Sequence, residues 1–238
     1  MYIDKEDHLL LKEFDDAGVE VIYADKHFGD AKAKTKEEIL DHFGLSNKKV
    51  ISGYQTHTKN IQIIKDVDNL YYNNTDGYIT DRKDVVLFTK YGDCLPIFFY
   101  DTNKKAIGVV HSGWKGTYQE IGIEAVKLMN EYYKSNYEDI HIAFGIGISA
   151  KNYEVGHEFF NDFKAKFSSD IVERSFYSRD NKIYFDNQEF NYLNFVSKGI
   201  PEINIIKNDH CTYDEKRFFS YRREKDNPGR NGALIYFK

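Results

Sequence analysis

Two apolar runs impose the strongest constraint on how this chain can fold. Cys94-Leu-Pro-Ile-Phe-Phe-Tyr100 is bounded by Gly92 and by Asp101-Thr-Asn103, and Ala106-Ile-Gly-Val-Val110 follows that turn and runs into His111. Strand-forming residues on both sides of a short polar turn predict a hairpin. In a hairpin the start of the first strand lies beside the end of the second, so Cys94 and His111 reach the same edge of a sheet. A thiolate and an imidazole meeting there can form half of a zinc site or a nucleophile–base pair.

The rest of the chain mixes strands and helices. Val19–Tyr23, Val50–His57, Asn60–Ile64, Asp84–Thr89, Asp139–Phe144, Ile203–Ile206 and Ala233–Phe237 read as strands. Thr35 and Glu38 have the capping-box spacing for a helix over 35–43. Ile121, Ala125, Leu128 and Tyr132 mark one face of a second helix, with Thr117 and Glu120 as a further capping box. A helix is predicted over 155–167, and another is capped by Asp186 with Glu189 and ends near Gly199. Asn73 to Gly77 reads as a turn. No repeat or composition shift marks a boundary, so the expectation is one α/β (α+β) domain over 1–238 with a mixed sheet.

Composition narrows the function classes. A hydrophobic content of 41% with 16% aromatics predicts a folded core, and a net charge of -5 gives no footprint for nucleic acid. No apolar run reaches the length of a membrane span, and MYIDKEDHLL places acids where a secretion signal needs positive charge. Two cysteines far apart make no disulfide framework. These features predict a cytoplasmic protein with neither a nucleic-acid nor a membrane partner.

Three residues at strand ends are the candidate ligands. Cys94 and His111, joined by His57, offer one sulfur and two nitrogens, a set that suits Zn²⁺ with a fourth position open. Asp93 beside Cys94 is a candidate to orient a ligand or act as acid or base. Gly145-Ile-Gly147-Ile-Ser-Ala150 fits a loose dinucleotide pattern, but a strand-to-helix turn explains it better. Arg222, Arg223 and Arg230 gather near the end; guanidinium forks suit phosphate, and an exposed strand edge explains them equally well. Trp114 reads as a core anchor.

Seven motifs occur in order: Gln55-Thr-His57, Gly92-Asp-Cys94-Leu-Pro96, His111-Ser-Gly-Trp-Lys-Gly116, Tyr153-Glu-Val155, Cys211-Thr212, Phe218-Phe-Ser-Tyr-Arg-Arg223 and Gly229-Arg-Asn231. Together they resemble the polyphenol oxidase or laccase-domain family, also described as a purine nucleoside phosphorylase family. The resemblance implies a four-layer α/β/β/α sandwich with mixed β-sheets. It implies His57, Cys94 and His111 as metal ligands; Cys94, His111 and Asp93 are the catalytic candidates. It also implies phosphorolysis of adenosine, inosine and methylthioadenosine, with adenosine deaminase activity. Arg222 and Arg230 are the candidates for phosphate. Ser112 and Lys115 stand where the family often has Ala and Arg, and Gly145-Ile-Gly-Ile148 lacks the family's proline.

Other readings compete. A copper-dependent polyphenol oxidase needs many histidines, commonly in H-x-H pairs; this chain has eight and no such pair. A blue-copper site usually adds a weak axial Met, for which Met1 and Met129 are the candidates. Cys94 with His111 as base would make an amide hydrolase, a chemistry suited to editing peptidoglycan precursors. A closed site with Cys211 as fourth ligand would make the metal structural. The oligomeric expectation is a monomer or weak dimer.

Overall fold

A computed structural model describes residues 2–226 and 228–238. Met1, one of the two candidate axial ligands, lies outside the described residues.

The predicted hairpin forms as strands Leu95–Asp101 and Ala106–Ser112, paired antiparallel from Ala106↔Asp101 to Ser112↔Leu95. Every residue of both strands is buried. Continuous burial explains why both read as unbroken apolar runs rather than as alternating ones. The hairpin is the middle of a six-stranded mixed sheet. Ile140–Phe144 flanks it on one side and Gly77–Thr80 on the other. A seven-stranded mixed sheet holds Val19–Ala24, Lys49–Tyr54, Val85–Tyr91 and Asn231–Phe237 among its members.

The two sheets stack. Val21, Ile51, Leu87 and Ile235 of the first sheet share one core with Tyr78, Phe98, Val109 and Ala143 of the second. The outer face of the first sheet packs Val86, Phe88 and Leu234 under helix Lys36–His42 through Ile39. The outer face of the second packs Ile97, Phe99 and Ile142 under helix Ile121–Tyr133 through Ile121, Val126 and Met129. The result is the four-layer α/β/β/α sandwich. None of the helices among the described residues is long and apolar enough to cross a membrane.

Several local expectations hold and several change. Thr35 and Glu38 form a full capping box, and the Asp186 side chain accepts from Glu189 N–H. The strand predicted to run to His57 stops at Tyr54. Thr117 and Glu120 do not cap the helix at Ile121: Glu120 takes φ 60, and the Thr117 hydroxyl is buried. That hydroxyl contacts Ser112 Oγ and donates to Asn187 Oδ1 at 2.7 Å, a burial the spacing could not reveal. The residues after Ser220 form a helical turn, Tyr221–Glu224, rather than a strand edge. Arg223 is spent inside this region, donating to the Thr212, Tyr213, Glu215 and Phe218 carbonyls.

A third, three-stranded sheet (Glu154–Val155, Lys182–Phe185, Phe176–Arg179) was not legible beforehand. It packs on helices His157–Lys166, Ser169–Ser175 and Asn187–Ser197 through a core rich in aromatic rings, with Ile171, Val172, Ile183 and Leu193 among them. Phe163 is its centre. It is fully buried, with ring centroids at 4.7 Å from Phe159, 5.1 Å from Phe185 and 5.1 Å from Phe190. Phe163→Ala should lower unfolding free energy by roughly 3–5 kcal/mol, because cavity formation adds to the lost transfer energy. Denaturant unfolding checks this, and a loss under about 1 kcal/mol would mean the aromatic cluster collapses around the gap.

Candidate metal centre

Cys94 immediately precedes strand Leu95–Asp101, and His111 lies near the end of Ala106–Ser112. The pairing of His111 with Pro96 and of Ser112 with Leu95 sets them side by side, as the hairpin requires. His57 arrives from the other sheet, in the loop after strand Lys49–Tyr54. One ligand atom from each of His57, Cys94 and His111 lies within 4.8 Å of the others. Cys94 Sγ is 3.8 Å from His57 Nε2.

Asp76 organises the ligands. It is fully buried, and its carboxylate accepts from the N–H groups of Thr56, His57 and Thr58 at 3.2, 3.0 and 2.8 Å. Three successive amides on one carboxylate hold the loop in a tight turn. His57 takes φ 62 there, a left-handed conformation that costs a non-glycine residue and needs such support. The same carboxylate meets His111 Nδ1 at 2.8 Å, so His111 donates from Nδ1 and presents Nε2 to the ligand cluster. The Asp76 carbonyl accepts from the His111 N–H at 2.6 Å. Gln55 completes the loop's attachment: its side chain bonds the Lys90 backbone in both directions, at 3.0 and 2.9 Å.

Electrostatics prepares the sulfur. Burial pushes the Cys94 thiol up, but His111 and His57 pull it down to about 6, so the thiolate dominates at neutral pH. Burial alone would lower His111; Cys94 and Asp76 raise it to about 9. Burial pushes Asp76 up, and bonds from His111 and Thr58 bring it down to about 2.

The donor set fits a divalent cation. A tetrahedral ion with bonds near 2.0 Å to nitrogen and 2.3 Å to sulfur separates its ligand atoms by roughly 3.5 Å. With the three atoms within 4.8 Å of one another and the sulfur 3.8 Å from His57 Nε2, the cluster is wider than this. His57 is its exposed member, so the cluster opens on that side. Among the described residues Cys211 does not join the cluster; its Sγ accepts from Ser149 N–H at 3.2 Å. The ligands line a cavity of about 930 Å³.

The other candidates line the same cavity with defined tasks. Asp93 accepts from the Thr212 hydroxyl at 2.6 Å and from the Arg222 N–H at 2.7 Å, clasping the 211–222 segment against the hairpin. Arg222 donates to the Glu154 carbonyl, and its guanidinium lies 5.5 Å from the Tyr153 ring centroid. Arg230 donates to the Pro228 and Gly229 carbonyls. In the Gly145–Ala150 segment the N–H groups of Gly145, Ile148 and Ser149 are taken by Pro96 O, Asp93 O and Cys211 Sγ, so they are not available to a phosphate. Trp114 is not a core anchor. At 41% exposure it lines the cavity with Tyr54 (63%), Tyr177 (38%) and Tyr221 (56%). Tyr221 falls in the Phe218–Arg223 motif, but Asp76, Tyr54 and Tyr177 give no signal of a site in the sequence, where they lie in stretches that look like ordinary turns and strands.

The chain is similar to several known proteins. The chain is 39% identical over 233 residues to a purine nucleoside phosphorylase of Borreliella burgdorferi, covering 97% of each chain. It is 32% identical over 215 residues to purine nucleoside phosphorylase YlmD of Bacillus subtilis, covering 86% of this chain and 77% of that one. The crystal structure of YlmD from Geobacillus stearothermophilus shares the fold, with a TM-score of 0.90 at 22% identity over 100% of this chain and 98% of that one.

Two substitutions test the centre. Asp76→Asn should weaken metal affinity roughly 10- to 100-fold, because only one oxygen remains to accept, so either the His111 ring and His57 N–H or the Thr56 and Thr58 N–H groups lose their acceptor. Competition with a chromophoric chelator reads this, and wild-type affinity would show that the carboxylate does not orient the ligands. A Cβ on Gly113 would lie 2.8 Å from His57 Cδ2 and 2.9 Å from Cys94 Sγ. Gly113→Ala should therefore bind less than one metal per chain while its circular dichroism stays that of the parent; full metal content would refute the crowding. All of these residues fall within 22–238, the stretch that matches the multi-copper polyphenol oxidoreductase laccase family model, and the chain belongs to that family.

Proposed function

We propose that the protein is a zinc-dependent purine nucleoside phosphorylase that cleaves adenosine, inosine and methylthioadenosine, with adenosine deamination as a second activity. The observation that carries the reading is the convergence of His57, Cys94 and His111 in a roomy cavity. The names of the relatives point the same way. When bound, zinc supplies Lewis-acid chemistry and lowers the pKa of water.

The cavity walls suit both reactants. Trp114, Tyr177 and Tyr221 offer exposed ring faces for a planar base. Five cationic side chains line the cavity (Lys32, Lys90, Lys151, Arg222 and Arg230) against three carboxylates (Asp93, Asp186 and Asp209). A net positive wall in a chain of net charge -5 favours an anion such as phosphate. In phosphorolysis a phosphate oxygen bonds to C1′ and the C1′–N9 bond breaks. The base leaves with the electron pair and takes up a proton, giving ribose 1-phosphate. Arg222 and Arg230 would hold the phosphate, and Asp93 would keep Arg222 in place through its backbone. Asp76 would fix the His111 tautomer, and Cys94 and His111 would act at the reacting centre. Two free cysteines suit a reducing, cytoplasmic compartment, and we read the chain as one domain working as a monomer or weak dimer.

A second reading has its own support. A thiol lowered to about 6 beside two imidazoles is also a nucleophile poised for amide cleavage. Product analysis separates the possibilities. Adenosine with phosphate should give adenine and ribose 1-phosphate; inosine alone would mean deamination. Cys94→Ser should lose both bound zinc and turnover. Full turnover in that variant would remove the assignment, and activity that survives a strong chelator would favour the thiol hydrolase.

A further inference from the structure

The five cations of the cavity differ in what already holds them. Lys151 pairs with Asp214 at 2.8 Å, and Lys32 Nζ donates to the Pro228 carbonyl at 3.0 Å. Arg222 donates from Nη1 to the Glu154 carbonyl, and Arg230 from Nη1 to the Pro228 and Gly229 carbonyls. Lys90 stands apart. Its backbone is pinned by Gln55, but its ammonium has no hydrogen-bond or ion-pair partner among the described residues. Burial holds this half-buried ammonium below the ordinary lysine range, and only Asp30 acts in the other direction. One oxygen of Asp30 already accepts from the N–H groups of Lys32 and Arg230.

Strand register explains where the group sits. Lys90 pairs with Gly232 and Tyr91 with Asn231. Side chains alternate along a strand, so Arg230, two residues before Gly232, falls on the Lys90 side of the sheet. Gly232 leaves the position opposite Lys90 without a side chain. Gly92, on the same side, lies against the stem of Arg230, where a Cβ would come within 3.0 Å of Cδ. The two cations therefore share one wall, next to the Gln55 that leads to His57. A partly desolvated charge with no protein partner is costly unless a ligand completes it.

We propose that Lys90, with Arg230 beside it, is the anchor for a phosphoryl group in this cavity. The group is either inorganic phosphate as co-substrate or the 5′-phosphate of a nucleotide. This assignment rests on the nucleoside reading for its choice of ligand, and binding measurements test it apart from turnover. Calorimetric titration of the zinc-loaded protein uses inorganic phosphate, AMP and adenosine as probes on wild type, Lys90→Met and Lys90→Arg. Thermal denaturation of each variant confirms that it folds.

The methionine variant should bind phosphate or AMP roughly 10- to 100-fold more weakly, the value of a charged hydrogen bond. Arginine should recover most of the loss, and adenosine affinity should not move. A merely structural lysine would not give that selective loss. A raised KM for phosphate at unchanged KM for adenosine assigns the co-substrate. Lys90-dependent preference for AMP over adenosine assigns the nucleotide's own phosphate. Equal binding of both anions by wild type and Lys90→Met, or no binding by wild type, overturns the anchor. Phosphate-dependent cleavage of adenosine in that event would leave the nucleoside reading standing. Lys90-dependent AMP binding with no nucleoside turnover would keep the anchor and remove the reaction.

Discussion

A single buried carboxylate holds the centre together. Asp76 has no exposure, so leaving it unpaired would cost several kcal/mol. It is instead surrounded by donors: three successive amides, the Thr58 hydroxyl and the His111 ring. Those donors come from both sheets. The 56–58 loop leaves strand Lys49–Tyr54 of the seven-stranded sheet, and His111 ends a strand of the six-stranded sheet. Asp76 itself precedes strand Gly77–Thr80, the neighbour of the His111 strand. The two layers are thus locked at one end by the contact that aims two of the ligands. A cation bound there would tie the same two layers a second time, and its binding energy would add to folding stability.

The sequence revealed the three residues that cluster but not what positions them. Cys94 and His111 were legible because a hairpin register is local: two apolar runs and a turn determine which ends meet. His57 was legible as a residue after an apolar run, although the strand stops three residues earlier. Asp76 was invisible for a physical reason. It sits in Asn-Asn-Thr-Asp-Gly, whose residue types favour turns whether or not the acid is buried. Thr117 misled in the opposite sense, since its spacing to Glu120 matches a capping box while its hydroxyl belongs to a network with Ser112 and Asn187. The partner of that network lies 70 residues away, beyond any local pattern.

The third sheet shows how a distant core shapes the cavity. Trp114 follows the crowded Gly113, and its ring centroid lies 5.5 Å from that of Phe159. Phe159 in turn stacks on Phe163 within the aromatic core. One side of the indole is therefore braced while the rest faces the cavity. Helices His157–Lys166 and Asn187–Ser197 were legible, but the strands between them and before them were not, because over two to four residues residue type alone sets no period. The single tryptophan read as a core residue for the same reason: residue type alone does not say which of its two faces will be covered.

The ligand set also bears on which chemistry the centre supports. Two imidazoles and a thiolate occur both in zinc enzymes and in electron-transfer copper sites, and the fourth ligand separates them. A blue-copper centre adds a weak axial thioether. Met129 cannot serve, because it is buried between helix Ile121–Tyr133 and the outer face of the six-stranded sheet. What lies beside the exposed His57 is a large cavity with ring faces and cationic walls. Electron transfer benefits from a small, closed site with no room for substrate, whereas Lewis-acid catalysis needs an open position next to a binding cavity. The arrangement of this end of the sandwich sets a three-residue donor cluster against an open cavity, within a family whose description speaks of copper.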